Sequence, residues 1–317
     1  MRGPTVIRQA SIVGLGEHRA TRLVTNDDLA QTLDTDDAWI QQRTGIASRR
    51  IAGEGESVIA MASEASRKAV ADAGVDPSAV GLVVLATCSM PQSIPGGAAQ
   101  VAEAIGAIGE VGAYDVNAAC AGFCYALSTA ADAVRLGTVD YAVVAASERL
   151  SDVVDWTDRS SAILFGDGAG SVVIGPSVEA GIGPVVWGSD GTGHELIAMD
   201  TGGHLRIEGP AVFRWATSLA GVARAACEAA GVDPSELAAL IPHQANLRII
   251  NSLAKQLGAT DAVVADDVIT SGNTSAASVP LALSQLRADG RVAKGDLALT
   301  LAFGGGLTYA GAVIAVP

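Results

Sequence analysis

The six-residue segment AGVDPS occurs twice in this chain, at 73–78 and again at 230–235. A helix-forming segment precedes each copy, and an apolar segment typical of a strand follows it. Later in each half a glycine cluster runs into another apolar segment, GDGAGSVVIG in the first half and GGGLTYAGAVIAV in the second. Because the order and the context of these segments are preserved, the sequence predicts a duplication. We expect two related halves, at 1–176 and 177–317.

Within each half, helical and strand-like segments alternate. Apolar residues recur at helical spacing from Ser57 to Ala73, and continuous apolar runs follow at 80–88 and 140–147. Strands that are apolar along their whole length are typical of a sheet buried on both faces. A chain of 317 residues with 49% apolar content can bury such a core. The sequence therefore predicts an α/β fold with mainly parallel sheets.

Composition and motif content exclude several classes of function. A net charge of −14 argues against nucleic acid as a partner, because phosphates require a basic surface. No apolar run reaches the roughly 18 residues of a membrane span, and we expect the N-terminal segment to form a first strand. The four cysteines show neither a paired framework nor metal-ligand spacing, and nucleotide-binding fingerprints are missing. We therefore expect a cytoplasmic protein with reduced thiols and no bound metal or cofactor.

The stretch DVNAACAGFCYAL (115–127) carries the strongest catalytic signal. It predicts a turn, a thiol at Cys120, and then a helix that continues to about Arg135. Unpaired N–H groups at a helix N-terminus favour a negative charge, so a cysteine placed there can have its pKa lowered to about 3.5–7.5. The small neighbouring side chains would admit a substrate carbonyl. The alternative is a buried structural cysteine, because free cysteine often behaves as a small hydrophobe.

The second half offers polar residues at equivalent places. Its repeat strand runs into PHQAN (242–246), which brings His243 to a strand end. The segment SGNTSAASVPLAL (271–283) corresponds to the cysteine stretch and places Asn273 at another helix entrance. Taken singly, the histidine could be structural and the asparagine could be a turn or capping residue. Together, Cys120, His243 and Asn273 indicate acyl-thiolate chemistry between the two halves.

Five motifs in this order resemble the β-ketoacyl-acyl-carrier-protein synthase III family of thiolase-fold condensing enzymes, over essentially the whole chain. They are AACAGFCYAL (118–127), FGDGAGSVVIG (165–175), PHQANLRII (242–250), GNTSAASVPLAL (272–283) and FGGGLTY (303–309). The resemblance implies a five-layered αβαβα fold built from two duplicated halves, and a homodimer. It also implies a catalytic triad, matched here by Cys120, His243 and Asn273.

The resemblance further implies a reaction whose only coenzyme is the coenzyme A thioester used as substrate. Cys120 takes an acyl group from acyl-coenzyme A, and malonyl-acyl carrier protein then loses carbon dioxide. His243 and Asn273 stabilise the resulting enolate, which attacks the acyl thioester and gives 3-oxoacyl-acyl carrier protein, the first step of fatty acid synthesis. The N–H groups of Cys120 and Gly305 would form the oxyanion hole, in which one donor contributes roughly 10²–10³ in rate.

By similarity, Trp39 and Arg159 are expected to hold the coenzyme A adenine between an aromatic face and a guanidinium group. Arg43 is expected near the coenzyme phosphates. The alternatives are a half-buried core tryptophan and a surface ion pair. Ile94 falls where the family places a residue that reaches the acyl pocket of the partner subunit. This smaller aliphatic side chain predicts room for a branched or longer primer.

The helix from Asn246 to Leu257 is the candidate docking site for the carrier protein. Its apolar side chains recur on one face, while Arg248 and Lys255 lie seven residues apart on the other. An acidic partner requires such a local basic patch on a chain of this net charge. A solvated helix face is the alternative.

Two departures from the family pattern and three rival functions need attention. The connection at 188–212 is shorter than expected, which leaves the acyl preference open, and Tyr309 replaces a commoner tryptophan. A degradative thiolase would carry a second catalytic cysteine within 303–309, which contains none. A starter-unit condensing enzyme or acyltransferase of a polyketide or other secondary-metabolite pathway could use the same triad. A catalytically silent partner subunit should have lost Cys120.

Overall fold

The computed structural model describes residues 8–317, so the first seven residues of the predicted N-terminal strand lie outside the described part. The strands of the first half are β1 (Gln9–Arg19), β2 (Arg22–Thr25), β3 (Ser48–Ile51), β4 (Val80–Ala86), β5 (Gly112–Val116), β6 (Tyr141–Glu148) and β7 (Gly168–Ser177). Its helices are α1 (Asn26–Ala30), α2 (Asp37–Thr44), α3 (Val58–Ala73), α4 (Ala98–Ala104), α5 (Gly122–Arg135) and α6 (Arg159–Ala162).

The second half repeats this alternation of helices and strands. Its strands are β8 (Val186–Ser189), β9 (Ile197–Met199), β10 (Leu205–Ile207), β11 (Ala239–Pro242), β12 (Val263–Val264), β13 (Leu297–Gly304) and β14 (Thr308–Ala315). Its helices are α7 (Gly209–Ser218), α8 (Ala220–Ala230), α9 (Leu247–Leu257), α10 (Val268–Ser271) and α11 (Ser278–Ala288).

The two halves form five-stranded sheets with the same strand order. The first sheet runs β1-β7-β6-β4-β5, and the second, read in the matching direction, runs β8-β14-β13-β11-β12. In each sheet the three strands at one end are parallel, and the remaining two pairings are antiparallel. The predicted duplication is thus confirmed. The prediction of mainly parallel sheets is wrong, because a run of apolar residues reports burial and not strand direction.

The repeated segment AGVDPS has the same conformation in both copies. Helices α3 and α8 each end at a left-handed glycine, Gly74 with φ of 63° and Gly231 with φ of 68°. The carboxylates of Asp76 and Asp233 each accept a hydrogen bond at 2.9 Å from the backbone N–H two residues further on. In both copies a short 3₁₀ turn follows and leads into the first strand of the parallel group. The sequence repeat therefore marks a repeated structural unit.

Helices and sheets stack in five layers, as predicted. Helices α5 and α11 pack between the sheets and contact both of them, while α3 and α4 cover the outer face of the first sheet. Helices α8 and α9 cover the outer face of the second sheet. Leu127 of α5 and Leu283 of α11 are fully buried in one apolar cluster that spans both halves. The boundary at 176 and 177 stays a proposal, since the halves share this core.

No helix within residues 8–317 is long and apolar enough to cross a membrane. In the same part of the chain, no cluster of histidine, cysteine and carboxylate side chains is arranged to hold a metal ion.

Candidate active site

Cys120 lies in the turn that joins β5 to α5. The Oδ1 atom of Asn117 accepts a hydrogen bond from the N–H of Ala119 at 3.1 Å, which closes this turn. Ala119 has φ of 45°, in the left-handed region that non-glycine residues rarely occupy. Helix α5 begins directly after the turn and ends at Arg135. The predicted position of the thiol at a helix entrance is confirmed.

Asn273 lies at the corresponding place in the second half, before the 3₁₀ turn that leads into α11. Its Oδ1 atom accepts a hydrogen bond from the N–H of Ser275 at 2.8 Å, and Ser275 has φ of 48°. Both entrances therefore carry an asparagine followed, two residues later, by a non-glycine residue with positive φ. Because Oδ1 is used in this way, the amide nitrogen of Asn273 remains available as a donor.

The FGDGAG motif fixes the backbone of Asn273. The N–H of Asn273 donates to the carbonyl of Leu164 at 2.8 Å, and the N–H of Gly166 donates to the carbonyl of Asn273 at 3.0 Å. A β-carbon on Gly166 would lie 2.1 Å from the carbonyl oxygen of Ser271, so only glycine permits this approach. The glycines of this motif thus serve close packing around the site.

His243 follows the end of β11 and is buried. Its ring lies edge-on to Phe303 with centroids 5.3 Å apart, and its Nδ1 atom lies 2.7 Å from the Oγ atom of Ser278. The Ser278 oxygen also accepts a hydrogen bond from the N–H of Gln244 at 3.3 Å, so its own proton can be donated to Nδ1. That arrangement leaves the ring proton on Nε2. Burial lowers the pKa of His243 to about 3, so the imidazole is neutral near pH 7.

Cys120, His243 and Asn273 line one cavity of about 140 Å³. The structure therefore brings together the three side chains predicted from the sequence. The other walls are mainly apolar, and Ile197 and Leu205 from the 188–212 connection contribute to them. A narrow apolar cavity of this kind excludes water from the reacting atoms.

The predicted lowering of the Cys120 pKa is wrong. Burial raises the pKa of this thiol to about 12, and the negative charge of Glu148 adds to the shift. The helix entrance does favour a thiolate, but removal of water from the sulfur has the larger effect here. The resting thiol is therefore protonated at neutral pH.

Comparison with known proteins places this site in a family. The family model described as 3-oxoacyl-[acyl-carrier-protein (ACP)] synthase III matches residues 114–191, and the model of its C-terminal part matches residues 227–316. A β-ketoacyl-[acyl-carrier-protein] synthase III from Streptomyces coelicolor is 49% identical over 311 residues, which cover 96% of this chain and 98% of that protein. A mycobacterial synthase III from Mycobacterium avium is 48% identical over 329 residues, covering 99% and 97%. The chain belongs to the 3-oxoacyl-[acyl-carrier-protein] synthase III family.

Solved structures of similar proteins have the same fold. A synthase III from Aquifex aeolicus superposes with a TM-score of 0.93 at 40% identity, over 96% of this chain and 99% of that chain. The priming β-ketosynthase of the R1128 polyketide pathway superposes with a TM-score of 0.97 at 44% identity, over 100% of this chain and 98% of that chain. The thiolase-like fold and the assignment as a condensing acyltransferase are thus established.

The glycine-rich turn of this synthase III approaches the nucleophile at Gly304, a residue that the sequence analysis missed. A β-carbon on Gly304 would lie 2.6 Å from the backbone nitrogen of Cys120. Gly305, the predicted second donor of the oxyanion hole, follows in the turn between β13 and β14 and packs near Ile197. Its role stays a prediction. The run of three glycines in the sequence indicated a close approach, but the sequence does not show which glycine contacts Cys120.

The three residues predicted to bind coenzyme A lie together at the surface. The guanidinium carbon of Arg159 lies 4.5 Å from the Trp39 ring centroid, and that of Arg43 lies 5.2 Å from it. The carbonyl of Arg43 also accepts a hydrogen bond at 3.1 Å from the side chain of Asn246, which lines the cavity. The aromatic and basic groups are therefore adjacent to the catalytic cavity, and their contact with coenzyme A stays a prediction.

Ile94 does not line the cavity of its own chain. It is 86% exposed, so a contact with an acyl pocket would require a second chain. The edge strand β5 is also accessible, and its residue Tyr114 is 42% exposed.

The predicted docking helix is present as α9, with Arg248 and Lys255 both exposed. Asn246 caps its N-terminus by accepting a hydrogen bond from the N–H of Arg248 at 2.9 Å. The guanidinium carbon of Arg248 lies 5.3 Å from the ring centroid of Phe213, which lines the cavity. One docking residue therefore lies at the cavity rim.

Proposed function

We propose that this synthase III condenses an acyl-coenzyme A primer with malonyl-acyl carrier protein and releases 3-oxoacyl-acyl carrier protein. The observation that carries this proposal is the shared cavity of Cys120, His243 and Asn273. A thiol, a neutral imidazole and a carboxamide supply a nucleophile and two hydrogen-bond donors, so the reaction needs no metal or further cofactor.

In the first half-reaction the sulfur of Cys120 attacks the thioester carbonyl of the primer. Coenzyme A leaves as a thiol, and the acyl group stays on the enzyme. The negative charge on the tetrahedral oxygen would be stabilised by the backbone N–H groups of Cys120 and Gly305. The close approach of Gly304 to the backbone of Cys120 supports this role of the glycine-rich turn.

In the second half-reaction His243 and Asn273 act as neutral donors. The malonyl group loses carbon dioxide, and the enolate oxygen accepts hydrogen bonds from Nε2–H of His243 and from the amide N–H of Asn273. Both donors are oriented by bonds to their other polar atoms, through Ser278 and the N–H of Ser275 respectively. The enolate carbon then attacks the acyl thioester, a carbon–carbon bond forms, and the thiolate of Cys120 is released.

Substrate delivery uses two surfaces beside the cavity. Trp39, Arg43 and Arg159 would bind the coenzyme A nucleotide, while Arg248 and Lys255 would bind the acidic carrier protein. A homodimer formed along the edge of β5 would bring Ile94 of each chain to its partner. We place the reaction in the cytoplasm, where the four free cysteines stay reduced.

Intact-protein mass spectrometry tests this assignment. Wild-type protein incubated with acyl-coenzyme A should gain one acyl group, and Cys120→Ala should gain none. Asn273→Ala should still be acylated but should fail to release carbon dioxide from malonyl-acyl carrier protein. Failure of the wild type to become acylated by any primer would support a catalytically silent subunit instead.

A second role, priming of a polyketide or other secondary-metabolite pathway, is favoured by the similarity to the R1128 priming β-ketosynthase. Both roles use the same condensation and differ in the primer. A panel of acetyl-, isobutyryl- and longer acyl-coenzyme A, each with malonyl-acyl carrier protein, separates them. Strict preference for acetyl-coenzyme A would contradict the larger acyl pocket inferred from Ile94.

A further inference from the structure

The hydroxyl group of Thr308 joins the turn that carries Cys120 to the glycine-rich turn at 304–307. Thr308 is the first residue of β14, and its Oγ1 atom lies 3.1 Å from the carbonyl oxygen of Ala118 and 3.2 Å from that of Gly305. Both partners are carbonyls, which only accept, so one hydroxyl proton is shared between them. In the part of the chain that the structure describes, no other hydrogen bond links the two turns.

The same two turns carry backbone N–H groups that the fold leaves without an acceptor. Among the described residues, neither the N–H of Cys120 nor that of Gly305 donates a hydrogen bond. These are the two donors assigned above to the oxyanion hole. The carbonyl of Ala118 lies one peptide unit before the Cys120 N–H, and the carbonyl of Gly305 belongs to the same residue as the second donor. The Thr308 hydroxyl group therefore contacts each turn next to its free donor.

The contact supports a turn whose backbone conformation is unfavourable. Ala119, the residue before the nucleophile, has φ of 45°, and a non-glycine residue stays in this region only where the surrounding contacts hold it. The carbonyl of Ala118 accepts hydrogen bonds from the N–H of Ala121 at 3.0 Å and from Thr308, so both of its lone pairs are used. On the other turn, a β-carbon on Gly306 would lie 2.8 Å from the Cγ2 methyl group of Thr308. The threonine side chain thus packs closely against both turns.

The other half of the fold joins its equivalent turns in a different way. There the phenylalanine–glycine segment at 165–166 binds the asparagine turn through the backbone, and the N–H of Gly166 donates to the carbonyl of Asn273 at 3.0 Å. The corresponding segment at 303–304 makes no backbone hydrogen bond to the cysteine turn in the described part of the chain. The Thr308 side chain provides the link instead. The backbone N–H groups beside the nucleophile consequently stay free to bind an anion.

We propose that Thr308 is a positioning residue of the oxyanion hole. Its hydroxyl group, shared between the carbonyls of Ala118 and Gly305, sets the spacing of the N–H groups of Cys120 and Gly305. The hole serves each step in which a tetrahedral oxygen forms, namely acylation of Cys120 and attack of the enolate on the acyl thioester. Decarboxylation creates its negative charge beside the imidazole and the carboxamide instead. This inference rests on the proposed function.

Single-turnover acylation by acyl-coenzyme A tests the first of these steps. Thr308→Val keeps the shape of the side chain without its hydroxyl group and should acylate about 30-fold more slowly, a smaller loss than the roughly 10²–10³ for a whole oxyanion donor. The acyl-coenzyme A concentration at half-maximal rate should stay within about twofold of the wild type. Thr308→Ser keeps the hydroxyl group and should acylate within about threefold. Thr308→Ala should resemble the valine variant, and melting temperatures show that each protein is folded.

A second measurement separates the oxyanion hole from the rest of the site. Enzyme acylated in advance by long incubation is mixed with malonyl-acyl carrier protein, and released carbon dioxide is compared with 3-oxoacyl product. The wild type should give equal amounts. Thr308→Val should release carbon dioxide within about twofold of the wild-type rate, because His243 and Asn273 still stabilise the enolate. Attack on the acyl thioester should be slower, so that protonation of the enolate by water gives acetyl-acyl carrier protein in place of product.

Thr300→Val in β13 is the matched control. The Oγ1 atom of Thr300 donates to the carbonyl of Ala312 at 3.0 Å, so this variant loses a comparable hydrogen bond that joins two strands and neither turn. It should acylate within about twofold of the wild type and give equal amounts of carbon dioxide and product.

The results distinguish this inference from the proposed function. Wild-type acylation by Thr308→Val and Thr308→Ala would overturn the positioning role. An equal loss of acylation and carbon dioxide release would overturn it too, as would a serine variant as slow as the valine variant. A wild type that no primer acylates would contradict the proposed function itself.

Discussion

The guanidinium carbon of Arg159 lies 4.5 Å from the centroid of the Trp39 indole ring. A purine placed between the two groups would need about 3.5 Å on each face, or about 7 Å in all. The two side chains therefore occupy the space that an adenine would fill. Arg159 is held in this position by a hydrogen bond from its Nη1 atom to the carbonyl of Asp34 at 2.5 Å. An adenine bound between the two groups, as proposed, would have to displace Arg159.

Removal of the Arg159 side chain should weaken coenzyme A binding without affecting the chemical step. We expect Arg159→Ala to raise KM for acyl-coenzyme A about tenfold, because one stacking cation is lost, and to leave kcat within twofold. Steady-state kinetics at saturating malonyl-acyl carrier protein give both values. Arg67→Ala, on the outer helix α3, is the matched control. A lower kcat at unchanged KM would mean that Arg159 acts on the reacting atoms instead.

The approach of Gly304 to the nucleophile predicts that alanine is not tolerated there. A β-carbon would lie 2.6 Å from the Cys120 nitrogen, so the turn carrying the thiol must shift. We expect Gly304→Ala to reduce the acylation rate at least 100-fold, since small displacements of a catalytic group are costly. Gly221→Ala in α8, where a β-carbon meets no atom, should keep full activity and gain about 0.5–1 kcal/mol of stability. Normal acylation by Gly304→Ala would refute the close contact.

Burial of His243 predicts a loss of stability in mild acid. The pKa of its ring is about 3 in the folded protein and about 6.5 in an unfolded chain, so the unfolded state binds more protons between these values. Stability should therefore fall as the pH decreases from 6.5 towards 3. Between pH 7 and pH 5 the wild type should lose about 2 kcal/mol more than His243→Asn, measured by urea unfolding. Parallel losses in the two proteins would indicate that the imidazole is not buried in its neutral form.

Charge reversal on α9 should separate the two substrates. We expect the double variant Arg248→Glu and Lys255→Glu to raise KM for malonyl-acyl carrier protein at least tenfold, because an acidic partner is repelled. Single-turnover acylation by acyl-coenzyme A should stay within twofold of the wild type. Lys294→Glu serves as the control for net charge. Lys294 is exposed and precedes the N-terminal end of β13, whereas Gly304 is at the other end of that strand. An equal loss of both activities would count against a carrier-specific patch.

The architecture was largely predictable from the sequence, because duplication leaves its mark in residue order. The two copies of AGVDPS predicted equivalent halves, and the glycine, aspartate and proline of each copy form the same turn. Strand direction was not predictable in this way. The strands β7 and β14 are as apolar as their parallel neighbours, and their antiparallel pairing depends on the route taken by the connections.

The site was predictable as a set of residue types but not as an electrostatic environment. Small and apolar neighbours make the three polar residues Cys120, His243 and Asn273 conspicuous in the sequence. Because they lie at equivalent loop ends of the two halves, we expected them to be close together. The pKa of Cys120 depends on how completely the sulfur is buried, which no local pattern reports. Glu148 gave one signal, a charged residue at the end of an apolar run, but the hydrogen bond that it accepts from Ser89 joins segments far apart in sequence.

The matching turns before α5 and α11 show that one backbone conformation can position side chains of different reactivity. The same backbone path, with the same unusual φ angle, is used near a sulfur in one half and near a carboxamide in the other. Evolution could thus alter the reactive group on either side while the supporting turn stayed constant. Both turns border the same cavity. An enzyme designer can therefore replace the reactive side chain at either turn and keep the backbone that supports it.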